Sequence, residues 1–205
     1  IINETSYKRL VDVGQTCNSD EFVLSSLKDK SYFSSACCFV VSKRCYTDLR
    51  FKSNMLHEDE LFTIELFGLS RRSVFIDPRI WFLRRIRDGS IMNIPKSSSN
   101  FNGYETCFSD FASTAKSLRG INGSEVTLEL LMLSMQRVLL VQIDTFSRMQ
   151  GILLLRYRLK IFNNVYAYIK LFSFDLKIAL LCILPDIKIL YRLFLRLKKS
   201  NSVEK

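Results

Sequence analysis

Downstream of Gly103 the chain is almost without punctuation. Gly120, Gly123, Gly151 and Pro185 are the only glycines and prolines in residues 104–205. These two residue types end helices and turn strands, so a stretch so poor in them and so rich in Leu, Ile and Val reads as a few long helices. Asn122-Gly123-Ser124-Glu125 has the form of a helix start, and dense Leu, Val, Met and Ile follow from Leu128 to Met149. Gly151 opens a second apolar and basic segment that runs to Pro185, and a last helix is expected from Asp186 to Lys199. In the second segment, Leu153, Leu154, Leu155 and residues 161–169 are expected to form a helix–helix core. Its aromatics (Tyr157, Phe162, Tyr166, Tyr168 and Phe172) alternate with Arg and Lys, as in a groove on which single-stranded bases stack. They follow packing spacing, however, and no RNA-binding motif accompanies them, so no nucleic-acid partner is expected. No charge-free apolar run reaches the roughly 18 residues that span a bilayer, so no transmembrane helix is expected.

The upstream part is more varied. Residues 21–30 read as a short helix, and the apolar, partly β-branched residues 32–42 as a buried strand. Residues 43–54 are polar and read as a surface crossing. The acids Glu58, Asp59 and Glu60 follow, then an apolar stripe from Leu61 to Leu69, with Arg71 and Arg72 just beyond. Acids at the start and bases at the end suit a helix macrodipole. From Ser73 to Arg85 the pattern is strand, proline break, strand. Residues 94–103, with Pro, three Ser, two Asn and Gly, read as a linker.

Of the 205 residues, 48% are hydrophobic and 24% charged, which excludes a disordered or collagen-like chain. The net charge of +10 is unevenly placed: residues 151–205 hold eleven Lys and Arg against three Asp and Glu. An anionic partner is expected there. Cys17, Cys37, Cys38, Cys45, Cys107 and Cys182 form no C-x-x-C pair, and His57 is the single histidine, so no zinc pattern can be assembled. The cysteines read as reduced thiols in a cytosolic compartment, mostly buried as small hydrophobes. Residues 1–20 lack the charged and apolar regions of a signal peptide. The start at Ile1 reads as a cut precursor or the downstream part of a longer protein.

The acids at 58–60 admit two readings. Carboxylates at a helix head cap the helix and favour its dipole. A carboxylate there can also project into a cleft as a general base. The stretch Phe51 to Phe62, containing His57-Glu58-Asp59-Glu60-Leu61-Phe62, resembles the acceptor-side half of family 2 glycosyltransferases of the GT-A fold, the bacterial type that builds capsule, O-antigen and exopolysaccharide. In that family an acidic motif opening a helix is followed by a strand, an aromatic stretch and an Arg-rich segment ending in Gly-Ser-Ile. Here these are Val74 to Asp77, then Trp81 to Arg87, Asp88, Gly89, Ser90 and Ile91. The resemblance covers residues 20–95.

The resemblance implies an α/β fold: residues 1–97 as the acceptor-side half of a nucleotide-diphospho-sugar transferase domain, and residues 98–205 as a helical, basic C-terminal region. It implies inverting hexosyl transfer from a nucleotide-sugar to a lipid-linked or polysaccharide acceptor. Asp59 would be the base, with Glu58 supporting it or binding the acceptor. His57, Arg84, Arg85, Arg87 and Ser90 would contact substrate, the arginines through phosphate oxygens. Such enzymes hold Mg2+ or Mn2+ and the nucleotide through an Asp-x-Asp motif, and this sequence contains none. The chain therefore reads as N-terminally truncated and, alone, inactive. The alternative is a non-enzymatic membrane-surface binding or scaffold protein, or an inactive remnant.

In residues 186–199, Lys188, Arg192, Arg196 and Lys199 share one helical face, and Ile187, Leu190, Tyr191, Phe194 and Leu197 occupy much of the other. Such a helix either packs on its neighbours or lies on an anionic membrane surface. The second choice suits a lipid-linked acceptor and places the protein at the cytoplasmic face of the cell membrane.

Overall fold

A computed structural model describes residues 14–45, 47–70, 72–77, 79, 95–149 and 154–173. Helix accounts for 66% of these residues, with one small sheet, so the architecture is mixed and dominated by helix. Strand β1 (Thr16–Asn18) leads into helix α1 (Ser19–Lys28), and α2 (Glu58–Thr63) continues as a π-helical turn (Ile64–Gly68). Strand β2 (Ser73–Phe75) precedes three long helices: α3 (Ser98–Leu118), α4 (Glu125–Arg148) and α5 (Leu154–Phe172).

β1 and β2 pair antiparallel, with Cys17 opposite Val74. The pairing is locked where α1 begins. The Ser19 backbone N–H donates to the Arg72 carbonyl at 2.6 Å, and the Ser19 hydroxyl accepts the Arg72 N–H at 2.8 Å. This holds the segment after the π-helical turn against the head of α1.

The centre of the molecule is α4, which packs against α1, α3 and α5. Leu130, Leu131, Met135, Val138, Leu139, Ile143 and Phe146 recur at helical spacing and are all buried. Phe101, Phe108 and Phe111 of α3 and Ile161, Val165 and Tyr168 of α5 complete the core. By length and composition α4 could cross a membrane. The charge-free-run criterion passes over it because Glu129, Arg137 and Asp144 interrupt it.

Several expectations need correction. Residues 32–42 form no strand: Ala36–Cys38 is a 3-10 turn, and Val40 is 98% exposed. Within this stretch Phe39 meets Phe67 edge-on at 4.9 Å. The linker is shorter than its composition suggests. Helix α3 begins at Ser98, because Asn100 reaches back to accept the Ser97 backbone N–H at 2.9 Å, as in a capping box. The cysteines are not mostly buried: Cys37 and Cys38 are exposed, Cys17 and Cys45 half-buried, and Cys107 alone is enclosed among the described residues. In α5, Phe162 and Tyr166 face outward rather than into the core.

Candidate active site

The acids sit where the chain reverses onto α3. Asn54 and His57 both adopt left-handed backbone geometry, with φ of 57° and 67°. Asn and His are among the non-glycine residues that tolerate it. Residues Asn100, Gly103, Tyr104 and Cys107 share one face of α3 and form a cradle for this reversal. A Cβ at Gly103 would lie 2.0 Å from the Leu56 carbonyl oxygen, so only glycine lets the two backbones approach. The His57 ring stacks on Tyr104 with centroids 4.0 Å apart and 13° between planes. The Cys107 thiol points to the His57 carbonyl at 3.7 Å. Above the reversal, Phe51 stacks on Phe62 of α2 at 4.0 Å.

This cradle fixes the state of the imidazole. The Asn100 side-chain oxygen accepts from the Ser97 N–H and hydroxyl, which turns its amide nitrogen toward His57 Nε2 at 3.2 Å. An amide nitrogen only donates, so Nε2 accepts and the ring proton is on Nδ1. Burial, then the neighbouring Lys96 charge, lowers the His57 pKa from its ordinary value. His57 is therefore mainly neutral near pH 7.

The three acids diverge. Glu60 turns inward, 6% exposed, and pairs with Arg137 of α4. The Arg137 guanidinium lies 4.8 Å over the Tyr32 ring. Glu58 and Asp59 remain half-buried at the helix head. Burial pushes the Asp59 carboxyl up to about 6; the charges of Glu60 and Glu58 add to the rise, and backbone hydrogen bonds oppose it. Such a carboxyl is mostly ionised at neutral pH yet more basic than a free aspartate, the balance a general base needs.

Of the expected site residues, the catalytic candidates Glu58 and Asp59 and the substrate-binding candidate His57 stand together at the head of α2. Arg84, Arg85, Arg87 and Ser90 lie outside the described residues, as does 186–199. Among the described residues no three His, Cys, Asp or Glu side chains converge to hold a metal. The fit for Mg2+ or Mn2+ is poor at the acids themselves, since Glu60 is already committed to Arg137.

The sequence reading missed Arg137 and the α3 cradle. A signal for Arg137 existed: a lone arginine between Leu131 and Val141 in an apolar helix needs an acidic partner. A polar concavity of about 220 Å³ is lined by Asn102, Glu105, Thr106, Arg156, Tyr157 and Lys160. Its Glu105 carboxylate accepts from Gln142 at 2.6 Å and Asn164 at 2.8 Å, which joins α3, α4 and α5. Asp59 does not line it.

No protein-family model, curated protein or solved structure matches the chain.

Proposed function

We propose that this chain is the acceptor-side part of an inverting family 2 glycosyltransferase of the GT-A fold. The observation that carries the reading is the environment of Asp59. It is a half-buried carboxylate with its pKa raised to about 6, standing at the head of α2 within His57-Glu58-Asp59-Glu60. In the proposed reaction, Asp59 takes the proton of an acceptor hydroxyl as that oxygen bonds to the anomeric carbon. The bond from that carbon to the nucleoside diphosphate breaks, the diphosphate leaves with the electron pair, and the configuration inverts. Glu58 orients the acceptor beside Asp59, and His57, neutral and held by Asn100 and Tyr104, fixes the backbone from which both project. Arg84, Arg85 and Arg87 pair with the diphosphate, and Ser90 closes that loop. The resemblance assigns the nucleotide and its divalent cation to an Asp-x-Asp segment that this sequence does not contain.

The acceptor is a lipid-linked or polysaccharide glycan at the cytoplasmic membrane face. The test uses the complete reading frame that encodes Ile1 to Lys205, incubated with a panel of nucleotide-sugars and membrane-extracted glycans. The reading predicts release of nucleoside diphosphate and a product of inverted anomeric configuration by NMR. A product of retained configuration contradicts it.

A further inference from the structure

Leu155, Leu159, Phe162 and Tyr166 follow one another at intervals of four, three and four residues, which aligns them along one face of α5. They are 70%, 55%, 57% and 64% exposed. The opposite face carries Ile161, Val165 and Tyr168, each exposed by 2% or less. Scattered exposed apolar side chains are ordinary, but four large ones in line form a patch that calls for a partner.

The charges around the stripe say which kind. Arg156, Arg158, Lys160 and Lys170 are the charged residues of α5, and the helix holds no Asp or Glu. By helical geometry Arg156 and Lys170 border the stripe on one side and Arg158 on the other. Basic residues flanking an apolar stripe suit an interface where phosphate headgroups lie above acyl chains. A second copy of α5 fits poorly, since pairing the stripes would set the bases of one α5 against those of the other, and the helix itself carries no acid.

We propose that this face of α5 rests on an anionic lipid surface, with the four apolar side chains in the acyl boundary and the flanking bases at lipid phosphates. The inference stands on exposure and charge, and does not require the transfer reaction. It also differs from the expectation that 186–199 makes this contact.

The test is co-sedimentation of the full chain with vesicles of equal parts phosphatidylglycerol and phosphatidylcholine, against phosphatidylcholine alone. Wild type is expected to sediment with the anionic vesicles only. Leu159→Gln with Phe162→Gln should weaken partitioning by about tenfold or more, with the circular dichroism spectrum unchanged because both positions are exposed. Should that variant lose helix, Phe162→Trp combined with Trp81→Phe decides: the indole, then the only one in the chain, should blue-shift on anionic vesicles and be quenched by brominated lipid. The proposal is overturned if wild type ignores anionic vesicles, if the double variant folds and binds undiminished, or if the indole stays unquenched. It is equally overturned if the double change turns a dimer into a monomer by light scattering, which would assign the face to a second copy.

Discussion

Glu60 of α2 and Arg137 of α4, 77 residues apart in the chain, form an ion pair that ties the acid-bearing helix to the centre of the bundle. The Glu60 side chain is 8% exposed and that of Arg137 31%. Removing one partner leaves a charge in a poorly solvated place. Arg137→Leu is therefore expected to destabilise by roughly 3 kcal/mol, the low end for a broken buried pair because Arg137 keeps some contact with water. Paired with Glu60→Leu, the combined loss should fall well short of the sum of the two single losses. Urea denaturation of the two single variants and the double variant measures this.

Gly103→Ala tests the cradle. The added methyl would meet the Leu56 carbonyl oxygen, which is backbone and can yield only if the reversal before α2 moves. A loss of about 3 kcal/mol is expected, at the upper end for an overpacked site. The His57 ring signals should shift at the same time. A variant as stable as wild type, with unchanged ring shifts, would mean the loop does not sit on α3.

His57 is the chain's only histidine, so its ring resonances can be assigned without ambiguity. The Asn100 contact and burial predict an Nδ1–H tautomer and a midpoint below the usual value near 6.5. A lowered folded pKa means that stability present above the unfolded value is lost as pH falls through the folded one. Nitrogen-detected NMR across a pH titration reads both. An Nε2–H tautomer, or a midpoint above 6.5, would contradict the assignment.

Asp59 has the opposite sign. Its folded value of about 6 lies above the ordinary 3.8, so its stabilising contribution is full below 3.8 and is lost as pH rises through about 6. At pH 8 the ionised carboxylate is a cost that Asn does not carry. Asp59→Asn is expected to exceed wild type in stability there by on the order of 1 kcal/mol, after allowance for solvent screening of a half-exposed group. The advantage should shrink toward pH 5. Comparing the two proteins at each pH cancels the His57 contribution.

The pattern of apolar residues carried much of the helical framework. Leu130, Leu131, Met135, Val138 and Leu139 show their 3.6-residue period plainly, and the acid-first, base-last order of 58–72 marks α2. Residues 32–42 misled because β-branched and aromatic content describes a strand only when a neighbour pairs with it, and here Val40 meets solvent. Ser97 and Asn100 have the composition of a loop, although their spacing also allows a helix cap. In α5 the inward set (Ile161, Val165 and Tyr168) and the outward set (Leu155, Leu159, Phe162 and Tyr166) both keep helical spacing. Periodicity alone could not say which faced the core. At the candidate site, the sequence singled out His57, Glu58 and Asp59. The inward turn of Glu60 depends on Arg137, and no local pattern links residues 77 positions apart.

In the proposed reaction Asp59 is the base for sugar transfer, and one substitution in the complete reading frame tests that role. Asp59→Asn keeps the size of the side chain and removes its ability to take a proton. Transfer from nucleotide-sugar to acceptor glycan is expected to fall by about a hundredfold or more, with nucleotide-sugar binding and the circular dichroism spectrum retained. Transfer at close to the wild-type rate would rule Asp59 out as the base.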